Sequence, residues 1–205
     1  MKKILLSILI ASLLVSTCYA ENLMSALPIG MDNLAIQGFY SSTNVKALDS
    51  SLTQFGPRII YGATEDLDLI GKLAMGSVAG VSSTTMGVGA KYTFLKMSAK
   101  DPIDMAGVFN YDSSSSKDYS TSTMGFGVEI SKSLRNNFTV YGLLNVLQFS
   151  AKATGTASTS SSALQWGGGI KYSLNKTVSF MGELAMFTAD NESYSTFSLA
   201  LQYLM

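Results

Sequence analysis

The chain has 205 residues, of which 47% are hydrophobic and 14% are charged, so it is long enough for one domain and too apolar for intrinsic disorder. Lys and Arg together number 14, Asp and Glu also number 14, and histidine is absent. No basic excess favours nucleic-acid binding. Without imidazole, no ordinary side chain titrates near neutral pH to serve as a catalytic base. We therefore expect no enzyme, no nucleic-acid partner, and neither a cofactor nor a metal site.

The first twenty residues form a separate targeting segment. Lys2 and Lys3 precede an apolar run that ends in small residues at Cys18 and Ala20, a pattern typical of a secretory signal peptide cleaved after Ala20. Cys18 leaves open a second possibility, the lipidated cysteine of a lipoprotein. Cleavage after Ala20 removes Cys18 and both early lysines, which leaves a cysteine-free chain with 12 basic and 14 acidic residues.

Residues 21–33 follow as a periplasmic N-terminal segment, either a lead-in to the next domain or an added strand. After the signal, no apolar stretch approaches the roughly 18 to 20 residues that a membrane helix needs. A membrane-spanning form of this chain must therefore be a closed β-barrel.

A six-residue repeat runs through residues 34–205. Its clearest copies begin at Gly87, Gly125 and Gly167, and weaker copies begin at Gly56 and Ser198. The starts are 31, 38, 42 and 31 residues apart, which is about the length of one β-hairpin, so the repeat marks every second strand. Alternating polarity predicts the intervening strands. These are residues 34–41, 67–77, 103–111, 138–150 and 178–187.

Together these segments predict an all-β fold, a closed antiparallel up-and-down transmembrane β-barrel of about ten strands, with eight or twelve possible. Tight connections at 134–137 and 175–177 alternate with longer Ser/Thr-rich ones at 112–120 and 153–162. This alternation matches the short periplasmic turns and longer external loops of such barrels. Solvated loop tips explain the serine runs, and adhesive loops are the alternative.

The two faces of the repeat strands differ in a way that identifies the lumen. One parity is apolar throughout, whereas the other holds glycines and ionisable residues, as at Gly87, Gly89 and Lys91. Paired glycines weaken a solvated strand but make room inside a narrow barrel for long side chains that arrive from opposite strands. A charge facing lipid would cost roughly 2 to 4 kcal/mol near the midplane. The residues predicted to line the lumen are Arg58, Lys72, Lys91, Asp104, Glu129, Lys171, Glu183 and Gln202.

Lumenal charges of mixed sign are compatible with an ion-lined pore or with a salt-bridge network that fills the barrel. For about ten strands we favour the filled barrel. The expected partners in this network are Lys91, Glu129, Lys171 and Glu183.

Two further sets of residues have expected positions. Trp166, Tyr92, Tyr172 and Tyr203 lie on the apolar parity near predicted strand ends, as an interfacial aromatic girdle would. Acids at the predicted inner turns are expected to be solvated rather than to form a calcium site or a catalytic pair. These acids are Glu65, Asp66, Asp68, Asp101 and Asp104.

Three stretches, residues 61–71, 169–183 and 197–205, resemble the small outer-membrane β-barrel proteins of the opacity-protein and OmpA-like type. The resemblance implies a place in the bacterial outer membrane, contact with the lipid bilayer, and recognition of the last strand by the barrel-assembly machinery. The last strand of the family usually ends in Phe, whereas here Met205 takes that position. The implied assembly signal is Phe197, Leu199, Leu201, Tyr203 and Met205.

We therefore expect a structural component or a small passive porin-like channel of the outer membrane. One alternative is a secreted or periplasmic soluble β-barrel that binds a small apolar ligand, with the apolar parity facing inward. Another is a surface adhesin that acts through its Ser/Thr-rich loops. The sequence specifies no oligomeric state.

Overall fold

A computed structural model describes residues 23–45, 50–78, 80–98, 102–116, 119–153, 157–189 and 192–205. The strands are β1 (Leu34–Val45), β2 (Ser50–Gly62), β3 (Leu67–Val78), β4 (Val81–Leu95), β5 (Asp104–Ser115), β6 (Tyr119–Arg135), β7 (Phe138–Ala153), β8 (Thr159–Ser173), β9 (Val178–Ala189) and β10 (Glu192–Leu204). Each strand pairs antiparallel with its sequence neighbours, and β1 pairs with β10 to close the barrel. The predicted closed up-and-down barrel of ten strands is confirmed.

Some sequence predictions fall outside the described residues. These are the signal peptide of residues 1–20, with Cys18 and the cleavage site after Ala20, and also Asp101. Within the described ranges, no helix has both the length and the apolar character needed to cross a membrane.

The strands begin or end at the predicted positions on the turn side of the barrel and run further than predicted on the loop side. β5 continues to Ser115 and β7 to Ala153, so the predicted loops 112–120 and 153–162 are partly strand. Thr and Ser in these extensions still pair their backbones with the adjacent strand. The alternation of polarity fades there, because the outward positions become hydroxyl residues, but backbone pairing does not need apolar side chains.

Side-chain oxygens hold the tight turns on one side of the barrel. Thr64 Oγ1 accepts hydrogen bonds from the backbone N–H groups of Asp66 and Leu67, at 3.2 and 3.0 Å. Asn175 Oδ1 accepts from Thr177 and Val178, at 2.8 and 2.7 Å. Such local acceptors are the reason Asn and Thr favour turns. Both ends of the barrel wall lie on this side, where Met205 N donates to Leu34 O at 2.8 Å. We call it the turn end, and the opposite side the loop end.

The outer surface of the barrel is apolar along every strand. One large apolar side chain from each strand, between 40 and 66% exposed, illustrates the pattern: Tyr40, Ile59, Leu73, Val88, Tyr111, Phe126, Leu144, Ile170, Leu184 and Leu199. The exposed charged residues Lys132 and Lys152 lie near the ends of β6 and β7. The soluble-barrel alternative requires the apolar parity to face inward, and the structure shows the opposite arrangement.

Candidate functional site

The lumen holds the charged and amide side chains of the barrel wall. Each residue predicted to line the lumen lies on the inward parity of its strand, and all but Lys72 and Lys171 are at most 6% exposed. The fully buried members are Asp104 and Glu129, at 0%. Buried charges at this density require partners inside the barrel.

One salt bridge of the lumen joins directly opposite residues of neighbouring strands. Lys91 Nζ lies 3.0 Å from Asp68 Oδ2, and the two residues face each other across β3 and β4. The expected pairing among Lys91, Glu129, Lys171 and Glu183 is therefore wrong for Lys91. Directly opposite residues on paired strands are closer than residues across the lumen, so the cross-strand partner is preferred.

Asp68 is also not the solvated turn residue that its position in the sequence suggested. It is the second residue of β3, points inward and is fully buried. Asp104, likewise expected at a turn, is the first residue of β5 and accepts a hydrogen bond from Met97 N at 2.7 Å.

The repeated glycines let side chains of alternate strands meet inside the barrel. Gly87 on β4 pairs with Lys72 on one side and with Asp112 on the other. A Cβ on Gly87 would overlap Asp112 Oδ1 and crowd the Lys72 side chain. Without it, Lys72 Nζ reaches Asp112 Oδ2 over the glycine, at 2.8 Å.

Gly169 on β8 likewise leaves room for a contact between side chains of the two strands beside it. It pairs with Tyr141 on β7 and with Glu183 on β9. The Tyr141 hydroxyl donates to Glu183 Oε2 at 3.2 Å, in the space that a Cβ on Gly169 would fill. We predicted room for side chains from opposite strands, whereas the structure shows room for the two strands that flank each glycine.

A segment of the chain without regular secondary structure, residues 23–29, occupies the turn-end half of the lumen; we call it the lumenal segment. Leu23 N donates to Glu183 Oε2 at 2.8 Å, and Gln37 Nε2 donates to Leu23 O at 3.0 Å. The Leu23 side chain is fully buried and packs with Phe39 and Met181, among others. The sequence predicted residues 21–33 as a segment ahead of the barrel and did not reveal that residues 23–29 enter it.

The middle of the lumenal segment is held through its backbone carbonyls. Lys91 Nζ donates to Ser25 O at 2.9 Å and to Leu27 O at 2.6 Å. Thr93 Oγ1 donates to the intervening carbonyl of Ala26 at 2.7 Å. Three consecutive carbonyls thus have partners on β4, as buried peptide groups require.

The lumenal segment leaves the lumen through a sharp turn next to β2. Ile29 N donates to the Asp68 carboxylate at 3.2 Å. Gly30 then adopts φ of +91° and Asp32 adopts φ of +59°, left-handed conformations that favour Gly and are tolerated by Asp. A Cβ on Gly62 would overlap Gly30 O, so the close approach of this turn to β2 requires glycine.

Apolar and hydroxyl side chains of the wall fill the loop-end half of the lumen. Leu147 and Phe149 belong to a buried cluster on β7 and β8. Phe187, fully buried, stacks on Tyr194 with ring centroids 4.8 Å apart. Thr43 and Thr196 share a hydrogen bond of 2.6 Å between their hydroxyls. The loop-end half thus contains side chains of the wall, whereas the turn-end half contains the lumenal segment.

The rim at the turn end carries exposed charged side chains and a circle of tyrosine residues. Lys96 Nζ lies 2.6 Å from Asp66 Oδ1 and donates to Glu65 O at 3.0 Å. The hydrogen bond to Asp66 is the main cause that raises the pKa of Lys96 above its ordinary value. Glu65 and Asp66 are turn residues, as expected, and in the described chain no group of three or more His, Cys, Asp or Glu side chains is suited to hold a metal.

Three of the four predicted girdle aromatics lie at the turn end. Tyr92, Tyr172 and Tyr203 point outward near the ends of β4, β8 and β10, between 41 and 54% exposed. Tyr61 on β2 joins them and was not predicted. Trp166 points outward from the middle of β8, so its assignment to a strand end was wrong.

A closed barrel with an apolar outer surface, a polar interior and tyrosines at one rim is a transmembrane β-barrel. Its fold is that of the outer-membrane β-barrel proteins, as the resemblance implied.

Solved structures with the same kind of fold are similar to the chain. Ail, the attachment invasion locus protein of Yersinia pestis, is 17% identical, with a TM-score of 0.44 over 85% of this chain and 99% of Ail. The N-terminal β-barrel domain of Pseudomonas aeruginosa OprF is 12% identical, with a TM-score of 0.40 over 86% of this chain and 99% of the domain. The NanC porin is 10% identical, with a TM-score of 0.48 over 83% of this chain and 98% of NanC.

These similarities concern the fold alone. No protein family and no curated protein matches the chain.

Proposed function

We propose that the protein is a structural β-barrel of the bacterial outer membrane whose lumen is closed, and that it is neither an open channel nor an enzyme. The observation that carries this proposal is the burial of the lumenal charges. Asp68, Asp104 and Glu129 have no exposed surface, and Arg58 and Lys91 have at most 3%. The charged groups that line a conducting pore must stay hydrated, whereas these are enclosed by protein.

The lumen is closed in two ways along its length. The lumenal segment fills the turn-end half, and the wall's own side chains, such as Leu147 and Phe187, fill the loop-end half. A barrel of about ten strands is wider than the eight-stranded barrels that wall side chains alone can fill. The lumenal segment, as a second element that fills the lumen, is therefore consistent with a barrel that is a structural component of the membrane and has no open channel.

Export and insertion belong to the same proposal. We propose that residues 1–20 are removed after Ala20 and that the barrel of residues 34–205 is inserted by the barrel-assembly machinery. In support, outward apolar side chains run along β10 and the residue that follows it, the predicted assembly signal. Its members are Phe197, Leu199, Leu201, Tyr203 and Met205.

Electrical recording tests the closed lumen directly. Purified protein inserted into a planar lipid bilayer is expected to give no stable ohmic conductance. Insertion is verified separately, by gel migration that changes on heating in detergent. Stable unitary conductance from protein that passes this check would overturn the proposal in favour of a porin-like channel.

A further inference from the structure

We infer that the turn-end half of the lumen is a binding site for a peptide held through its backbone, that the lumenal segment is its ligand, and that this ligand can leave the site while the barrel stays folded. The inference rests on the proposed function, since it describes how part of the closed lumen is filled. It adds a site, a chemical class of ligand and an equilibrium between bound and released states.

The site recognises peptide backbone by an ordered set of groups. Cationic and hydroxyl donors, Lys91 and Thr93, face the carbonyls in the middle of the segment. Carboxylates face the amide N–H groups near its two ends, Glu183 at Leu23 and Asp68 at Ile29. Donors for carbonyls and acceptors for N–H groups are the complement of a peptide backbone. Hydrogen bonds to charged groups are stronger than those between neutral groups.

Two apolar side chains give the site selectivity. Leu23 is fully buried against Phe39, Met181 and other inward residues. Met24, 4% exposed, packs against Ile60 and Ile70 among others. The ligand is therefore a peptide with two adjacent apolar residues followed by a stretch that is held through its backbone.

The described hydrogen bonds of the lumenal segment join its backbone to side chains, not to a strand of the sheet. The partners are wall side chains and, for Ile29 O, the side chain of Asn33 just before β1. The ten-stranded ladder closes without it, because β1 begins at Leu34 and pairs with both β2 and β10. Release therefore breaks no strand pairing, and the turn at Gly30 and Asp32 connects the segment to β1.

Thiol labelling of the chain in a Cys18→Ser background, in which no native thiol can react, tests the inference. Ser25→Cys places a reactive group on the lumenal segment at a buried position, 3% exposed, and the only native cysteine is Cys18 in the predicted signal peptide. A water-soluble maleimide reacts only with the released state, so its rate reports the released population. Adding Lys91→Met removes two hydrogen bonds to the segment and should raise the labelling rate about tenfold or more.

Lys72→Met is the matched control. It also removes a buried lysine from a lumenal salt bridge, that with Asp112, but Lys72 does not hold the lumenal segment. With Ser25→Cys it should label at the rate of Ser25→Cys alone, to within about twofold. Equal acceleration by Lys91→Met and Lys72→Met, in barrels that remain heat-modifiable, would show general loosening and overturn the inference, as would no acceleration by either.

A peptide added from outside tests the site itself. The N-acetylated peptide of residues 23–30 should compete for the vacated site and increase labelling of Ser25→Cys in the Lys91-intact chain. The same peptide with Leu23→Glu and Met24→Glu should have no effect. If both peptides are inactive at millimolar concentration, the segment is a fixed part of the core and the inference fails. Bilayer conductance is a separate readout, so failure of the closed-lumen proposal is distinguishable from failure here.

Discussion

The two halves of the lumen are packed with different parts of the chain. At the loop end, Leu147 packs with Phe149, and Phe187 stacks on Tyr194. At the turn end, the wall carries glycines and charged residues, and the lumenal segment lies among them. One half thus holds side chains of the wall. The other half holds a segment that the sheet does not contain.

Because of this difference, the stability of the barrel and the occupancy of the turn-end half by the lumenal segment should respond to different substitutions. Substitutions in the loop-end half should change the stability of the barrel and leave the lumenal segment in place. Substitutions among the residues that bind the segment should change its release before they change the barrel. The predictions below test that separation, beginning with the largest expected effect.

Phe187→Ala should produce the largest loss of stability, about 3 to 5 kcal/mol, because it removes a fully buried ring stacked on Tyr194 and leaves a cavity. The free energy of unfolding in urea, measured in detergent or phospholipid, reports this loss. Labelling of Ser25→Cys should not change. Phe180→Ala on the same strand is the control, since Phe180 points outward and is 48% exposed, and its loss should be smaller. Equal losses at the two positions would contradict this account of the loop-end half.

Glu183→Leu should have an intermediate effect that reaches both the wall and the segment. It leaves Leu23 N–H and the Tyr141 hydroxyl without their described acceptor, and each unpaired buried donor costs about 1 to 3 kcal/mol. The urea transition should shift to lower concentration, and Ser25→Cys should label faster. Glu183→Gln retains a side-chain carbonyl, so it should recover much of the stability. A Gln variant as unstable as the Leu variant would show that the charge matters and that the hydrogen bonds do not.

The smallest effect is expected at the turn-end rim. The pKa of Lys96 is raised by its hydrogen bond to Asp66, so the stabilisation is present below its ordinary pKa of 10.5 and is lost as pH rises through the higher folded-state value. Because both groups are exposed, the pair is worth only about 0.2 to 1 kcal/mol. Unfolding free energies of the wild type and Lys96→Met should differ at pH 9 and converge as the pH rises above the folded-state pKa of Lys96. A difference that persists at the higher pH would exclude this ion pair as its source.

Much of the fold follows from local patterns in the sequence. Alternation at Met86, Val88 and Tyr92 marks an outward face, and the glycine-rich repeat marks the inward one. The turns at Thr64 and Asn175 are likewise local, since each side-chain oxygen binds backbone two or three residues ahead. Strand ends at the loop side were less predictable, because Ser and Thr suit both a loop and an edge of the sheet.

The contents of the lumen followed less directly from these patterns. Parity placed Lys72 and Lys91 on one face, but their partners Asp112 and Asp68 are set by register and by the space above Gly87. Nothing in the sequence of residues 23–29 marks them as buried. A short apolar segment has the same pattern inside a barrel, at a membrane surface or in a segment that precedes the barrel.

The sequence by itself determined a wall of about ten strands with an apolar outside and a charged inside, because side chains of a strand alternate with period two and a charge near the midplane of the lipid is costly. Only the tertiary structure decided how that inside is filled. The pairing of Lys91 with Asp68, and the entry of residues 23–29 between Glu183 and Asp68, join groups far apart in the chain. Their contact depends on the register, the closure and the width of the finished barrel, which no local pattern encodes.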